Sequence, residues 1–215
     1  MQFFFLRSLF PMQSSAVNQA DTIAVAQTAH GHEEHPDLRM FGVLVFLCAE
    51  SMIFLGLFIA YLSFRLMAPA WPPAGTEGLE LLLPGINTII LISSSFVIHN
   101  ADTAIKQDDV GAMRKWFAIT AVMGAIFLGG QIYEYTHLEF GLTTNIFAST
   151  FYVLTGFHGL HVLFGLLMML AVLFRSRQAA HYSHENHFGI EATELYWHFV
   201  DVIWIILFAL LYLWR

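Results

Sequence analysis

The sequence predicts an all-α membrane protein, a bundle of five transmembrane helices with the N-terminus inside and the C-terminus outside. Three observations predict it. First, 57% of the 215 residues are hydrophobic, only 12% are charged, and the mean hydropathy is +0.63. Ordinary soluble domains carry about a quarter charged residues, and a soluble domain this apolar would expose too much greasy surface. Second, the charged residues leave five long gaps. Third, lysine and arginine gather on one side of those gaps. The same composition excludes a disordered or nucleic-acid-binding protein. The single cysteine excludes a secreted disulfide scaffold.

The gaps define the spans. Met40 to Phe64 runs 25 residues broken only by Glu50. Leu81 to Ala101 has no charge in 21 residues, and Trp116 to Tyr133 none in 18. Phe140 to Phe174 has none in 35, opening on the turn-like Gly141, Thr143, Thr144 and Asn145. Leu195 to Trp214 is 20 residues broken only by Asp201. A helix needs about 20 apolar residues to cross the hydrocarbon core. Helices are therefore expected at roughly 38–66, 81–104, 114–136, 146–175 and 191–214, in a transmembrane domain of residues 38–215. The alternating ten-residue segments of a membrane β-barrel do not occur. Residues 1–37 read as a mobile N-terminal tail, polar and alanine-rich, whose Phe3-Phe4-Phe5 cluster is too short for the apolar core of a signal peptide. Pro69, Pro72 and Pro73 around Trp71 read as an interfacial turn. No soluble domain is expected, and no internal repeat of the transporter kind.

Orientation follows from the basic residues. Arg7, Arg39, Lys106, Arg114, Lys115, Arg175 and Arg177 fall on the N-terminal side, against Arg65 and Arg215 on the other. Basic residues are retained on the inner side.

Polar residues inside the spans carry the functional signal. Glu50 lies 11 residues beyond Arg39, about 16 Å deep in a helix. A carboxyl there must be neutral, face protein or have a partner. It reads either as a structural carboxyl or as a proton-relay or regulatory one. His158 and His161 are three apart near the middle of their helix. A haem between two histidines needs ligands from two helices, and zinc needs three or four. These two read as hydrogen-bonded interior histidines rather than metal ligands. Glu191, Glu194, His198 and Asp201 fall within an arc of about 80°, a single stripe running from the inner side to mid-membrane. The stripe is either a proton-uptake wire or a packing face. Tyr196, Trp197, Phe199 and Trp204 flank it. Gln131, Glu134 and His137 close the third helix as an outer polar cluster, with Glu134 and His137 spaced to pair. His99 and Asn100 form a polar helix end. The tract His30, His32, Glu33, Glu34, His35 and the loop His181, His184, His187 read as solvated runs, and Cys48 as a packed small residue. The sequence contains no phosphate-binding glycine loop, no CxxC or CxxCH, and no nucleophile triad.

Taken together, these motifs resemble subunit III of the haem–copper terminal oxidases. Ala49-Glu50-Ser51-Met52-Ile53-Phe54 is similar to the family's glutamate-containing motif. Leu83-Pro84-Gly85-Ile86-Asn87-Thr88 with Ser93-Ser94-Ser95 resembles the next helix, and Gln131-Ile132-Tyr133-Glu134-Tyr135 the Gln-x-x-Glu-Tyr signature. Thr155-Gly156-Phe157-His158-Gly159-Leu160-His161-Val162 is similar to the family's most recognisable helix. His187-Phe188-Gly189-Ile190-Glu191 and Tyr196-Trp197-His198-Phe199-Val200-Asp201-Val202-Ile203-Trp204 complete the pattern. The resemblance runs from about Pro36 to Arg215. Two features depart from it. Many relatives have seven helices, and this chain resembles the five-helix bacterial form. The family's paired histidines at the end of the second span read His99-Asn100 here.

The resemblance implies an accessory subunit of a proton-pumping cytochrome c oxidase in a bacterial energy-transducing membrane. It implies no redox centre and no cofactor in this chain, with haem and copper in partner subunits I and II. Packing on subunit I, phospholipid binding, and support of proton uptake and durability are implied as well. Glu50 corresponds to the family's intramembrane carboxyl, at a depth similar to His161, so the two are expected to approach each other. Glu191 and Glu194 become proton-uptake surface candidates. Subunit III of a quinol oxidase is the nearest alternative. A haem- or quinone-binding carrier and a proton-coupled transporter are more distant ones.

Overall fold

The computed structural model describes residues 38–74, 76, 80–178 and 181–214. The chain divides into two compact units, Met1–Leu38 and Arg39–Arg215, and the fold below is that of the second. The expected tail over residues 1–37, with its histidine tract, lies outside the described residues.

Five helices are long and apolar enough to cross a membrane: α1 (Leu38–Met67), α2 (Leu82–Ile105), α3 (Val110–His137), α4 (Ile146–Arg175) and α5 (Phe188–Phe208), the last continuing as a π-turn over Ala209–Leu213. No strand occurs among the described residues. Two starts have a visible cause. The Asp109 side chain accepts from the Ala112 N–H at 2.8 Å, and that of Asn145 from the Ala148 N–H at 2.9 Å. Each satisfies a helix-terminal donor that has no partner inside the helix. The Asp109 cap starts α3 four residues ahead of the expected position. Arg114 and Lys115 lie inside the helix, as long basic side chains near a membrane surface can. The short connection through Asp108, whose φ of 57° is tolerated by aspartate, folds α2 and α3 into the closest pair of the bundle.

Helix α1 is the least enclosed. Only Leu47, Phe54, Phe58 and Tyr61 are buried, a narrow stripe along one face. Phe54 meets Phe157 and His161 of α4 and Phe199 of α5, with ring centroids 5.1, 4.9 and 6.3 Å apart. At the far end Tyr61 donates to the Leu210 carbonyl at 3.1 Å, and Trp71 donates to the Tyr61 hydroxyl at 3.2 Å. The rest of α1, including Met52, Ile53, Leu55 and Ile59, is exposed apolar surface. Cys48 is exposed there too, which corrects the expectation of a packed thiol. It lies one residue off the buried stripe.

The centre of the bundle is Trp197. Its ring sits between Gly124 of α3 and Gly165 of α4, and its N–H donates to Ser94 of α2 at 2.8 Å. One side chain thus joins four helices. A Cβ on Gly124 would lie 2.6 Å from the indole. Gly124→Ala is therefore expected to destabilise the bundle by about 1–3 kcal/mol through overpacking, measured by unfolding in mixed micelles. Small residues at helix contacts are how membrane bundles gain packing without a hydrophobic driving force. Two helical turns away, Trp204 donates to Thr88 at 2.9 Å.

Candidate functional site

The ionisable residues of the spans fall into three groups. The first joins α1 to α4. Glu50 Oε2 lies 3.2 Å from His161 Nε2, in agreement with the approach expected from their depths. His161 Nδ1 is 2.8 Å from the Phe157 carbonyl. A carbonyl only accepts, so Nδ1 carries a hydrogen. Nε2 then either accepts from a protonated Glu50 or donates to an ionised one. In both cases one proton is held between the two residues. The pair borders a groove of about 340 Å³ lined by Phe46, Leu160, Phe164 and Tyr196.

His158 diverges from His161. It is fully buried, stacked on Trp204 at 4.9 Å and edge-on to Phe127 at 5.9 Å. Both of its ring nitrogens lack a hydrogen-bond partner among the described residues. This corrects the expectation of a hydrogen-bonded histidine: the 60° between positions three apart turns one ring into the aromatic core and the other towards α1.

The second group is the α5 stripe, and it faces α2. Ser95 donates to Asp201 in a very short contact and lies 3.0 Å from His198 Nδ1. With its hydrogen committed to Asp201, the Ser95 oxygen accepts from His198. His198 Nε2 is 3.5 Å from Glu194 Oε1, which His99 Nδ1 approaches at 3.0 Å. A polar path therefore runs His99, Glu194, His198, Ser95, Asp201, from an exposed helix end to a buried carboxyl. Glu191 sits beside it, 3.1 Å from His187. Asp102 lies on the α2 side and accepts from Lys106 at 2.6 Å. That hydrogen bond, the neighbouring carboxylate and the more distant Glu191 and Glu194 hold the Lys106 ammonium above its ordinary pKa, against a smaller opposing effect of burial.

The third group lies at the opposite end. Glu134 accepts from Gln131 at 3.1 Å within α3 and from the Tyr212 hydroxyl at 2.9 Å across to the π-turn, both buried contacts. His137 does not join them. It stacks on Tyr133 at 4.0 Å and bonds Thr136. The Glu134–His137 pairing allowed by the spacing is therefore replaced by Glu134–Tyr212. In the α4–α5 loop, His184 stacks on His187 at 6.1 Å, and His187 is engaged with Glu191 rather than solvated.

Sequence reasoning missed Ser95, Asp102 and Tyr212. The first two were detectable. Ser95, His99 and Asp102 are spaced i, i+4, i+7, one face of α2, and this stripe is the complement of the one on α5. Tyr212 carried no signal, because only the π-turn aims it at Glu134.

Five spans, ionisable groups held between helices, and no extramembrane domain among the described residues define an integral multi-span membrane protein with an internal polar network. The cytochrome c oxidase subunit III family model matches residues 1–215. Cytochrome c oxidase subunit 3 of Synechocystis sp. is 66% identical over 204 residues, covering 94% of this chain and 88% of the relative. The protein of that name from Thermostichus vulcanus is 60% identical over 202 residues, covering 94% and 98%. That of Cyprinus carpio is 34% identical over 195 residues, covering 87% and 74%. The chain belongs to the cytochrome c oxidase subunit III family, and so is a membrane subunit of a multi-subunit haem–copper oxidoreductase.

Proposed function

We propose that this chain is a non-redox subunit that packs on subunit I, holds phospholipid against its exposed apolar faces, and supplies protons to the oxidase from the inner side. The path from His99 to Asp201 carries the reading. It begins among acids at a helix end, continues through hydrogen-bonding groups, and stops at a buried carboxyl. Acids at the mouth of such a path raise the local proton concentration.

Haem and copper belong to the partner subunits in this reading. The central histidines support that division. His161 is committed to Glu50 and Phe157, and His158 is walled in by Trp204 and Phe127. The basic residues support an inward-facing N-terminal end. Arg39, Lys106, Arg114, Lys115, Arg175 and Arg177 lie at the end of the bundle opposite Arg65. Cytochrome c is the expected donor.

Depletion tests this. Stripping the chain from the complex in stronger detergent is expected to leave the haem and copper spectra intact. Turnover should fall and inactivation during turnover should quicken, and adding the chain back should restore both. A stripped complex that has lost a redox centre would overturn the proposal.

A further inference from the structure

At the inner end of the α2–α5 interface, two overlapping sets of donors share Asp102. His99, Asp102 and Glu194 each offer a ligand atom within 4.8 Å of the other two, and so do Asp102, His187 and Glu191. Asp102 is only 4% exposed. One of its oxygens accepts from Lys106, and the other is buried with no hydrogen-bond partner among the described residues. A buried carboxylate oxygen without a donor is costly, so the fold holds in place an acceptor that none of the described residues uses. The cluster opens on a groove of about 440 Å³ bordered by Met40, Leu195 and His198, which gives an ion a route of entry.

The charges point the same way. Three carboxylates, Asp102, Glu191 and Glu194, converge here, and Lys106 is bonded to Asp102 and feels the charge of the other two. Arg39 nearby lies over the Phe188 ring at 4.9 Å. Imidazole with carboxylate is a donor set for zinc and related first-row divalent ions, and calcium and magnesium take oxygen alone. His99 Nδ1 and Glu194 Oε1 are already 3.0 Å apart, close to the separation of two donors on one zinc ion with bonds of about 2.0–2.2 Å. Lys106 is half exposed, and its long stem lets the ammonium swing to water as the ion arrives.

We propose that this cluster is a divalent-cation site, zinc by the chemistry of its donors, ligated by His99, Asp102 and Glu194 with water completing the shell. The ligand geometry does not rest on the proposed proton path, although His99 and Glu194 belong to both. A bound ion would neutralise acids at the mouth of the polar path, so zinc would also act on whatever that path delivers.

The test uses the full chain, purified in detergent, with His30, His32 and His35 replaced by alanine so that the tail cannot bind the metal. Zinc titration is expected to give one site per chain. Asp102→Asn should weaken it on the order of 100-fold, with circular dichroism unchanged. X-ray absorption at the zinc edge should show imidazole scattering that His99→Ala removes, and His99 is exposed enough for that variant to fold. Lys106→Met should tighten binding by about threefold or more, because it removes a competing cation; loss of a merely structural ion pair would not. Zinc binding equal in the parent and Asp102→Asn, or imidazole scattering that survives His99→Ala, would overturn the proposal.

Discussion

Replacing Trp197 with alanine is expected to lower the stability of the bundle by about 3–5 kcal/mol. Trp197 is fully buried and reaches α2, α3 and α4 from α5. Its removal empties the space between Gly124 and Gly165, and neither glycine has a side chain to fill it. Part of the loss is the hydrogen bond to Ser94, worth about 1 kcal/mol inside a membrane. Ser94→Ala isolates that part, since among the described residues the Ser94 hydroxyl bonds otherwise only to the Leu91 carbonyl. Unfolding of the two variants in mixed micelles separates packing from hydrogen bonding. A Trp197→Ala loss no larger than that of Ser94→Ala would contradict the packing argument.

The second large effect is on rate. Glu191→Gln with Glu194→Gln is expected to slow oxidase turnover by about tenfold at low salt, because the acids concentrate protons at the mouth of the path. The deficit should shrink as ionic strength rises, since about 0.15 M salt screens exposed charges beyond about 8 Å. It should grow with pH, because free protons become scarcer. Glu191 is partly exposed, while Glu194 is more enclosed and bonded to two histidines. Glu194→Gln alone should therefore retain more of its defect in salt than Glu191→Gln alone. Turnover measured across salt and pH checks this. Equal turnover of the double variant and the parent at low salt and high pH would remove Glu191 and Glu194 from proton supply.

Much of the fold could be read from the positions of the charges. Membrane spans announce themselves because a charge in hydrocarbon is costly, so the gaps between charged residues trace α1 to α5 closely. The starts of α3 and α5 were the exceptions, α5 beginning at Phe188, three residues ahead of the expected 191. Arg114 and Lys115 look like a boundary, but the Asp109 cap lies beyond them and the helix carries both residues at its first turns. The polar stripe of α5 was legible from its spacing. Its partner was legible in the same way, since Ser95, His99 and Asp102 share one face of α2, but the pairing of the two stripes becomes visible only when α2 lies against α5.

Local spacing also misled where packing decides. His158 and His161 share a helix face, yet one stacks on Trp204 and the other reaches Glu50. Glu134 and His137 are spaced to pair, yet Tyr212 arrives from a distant helix and takes the carboxyl. In each case the competing partner comes from another helix, which periodicity within one helix does not report.

The most direct test of the central claim is a haem spectrum taken at two stages. The tagged chain is first recovered with its partners from gently solubilised native membranes, then isolated in harsher detergent. An accessory non-redox subunit requires haem absorption in the first sample, arriving with larger subunits, and none in the second. The haem type and any copper in the second partner then distinguish a cytochrome c oxidase from a quinol oxidase. Haem that remains with the isolated chain would contradict the account and make His158, His161 and His198 its candidate ligands.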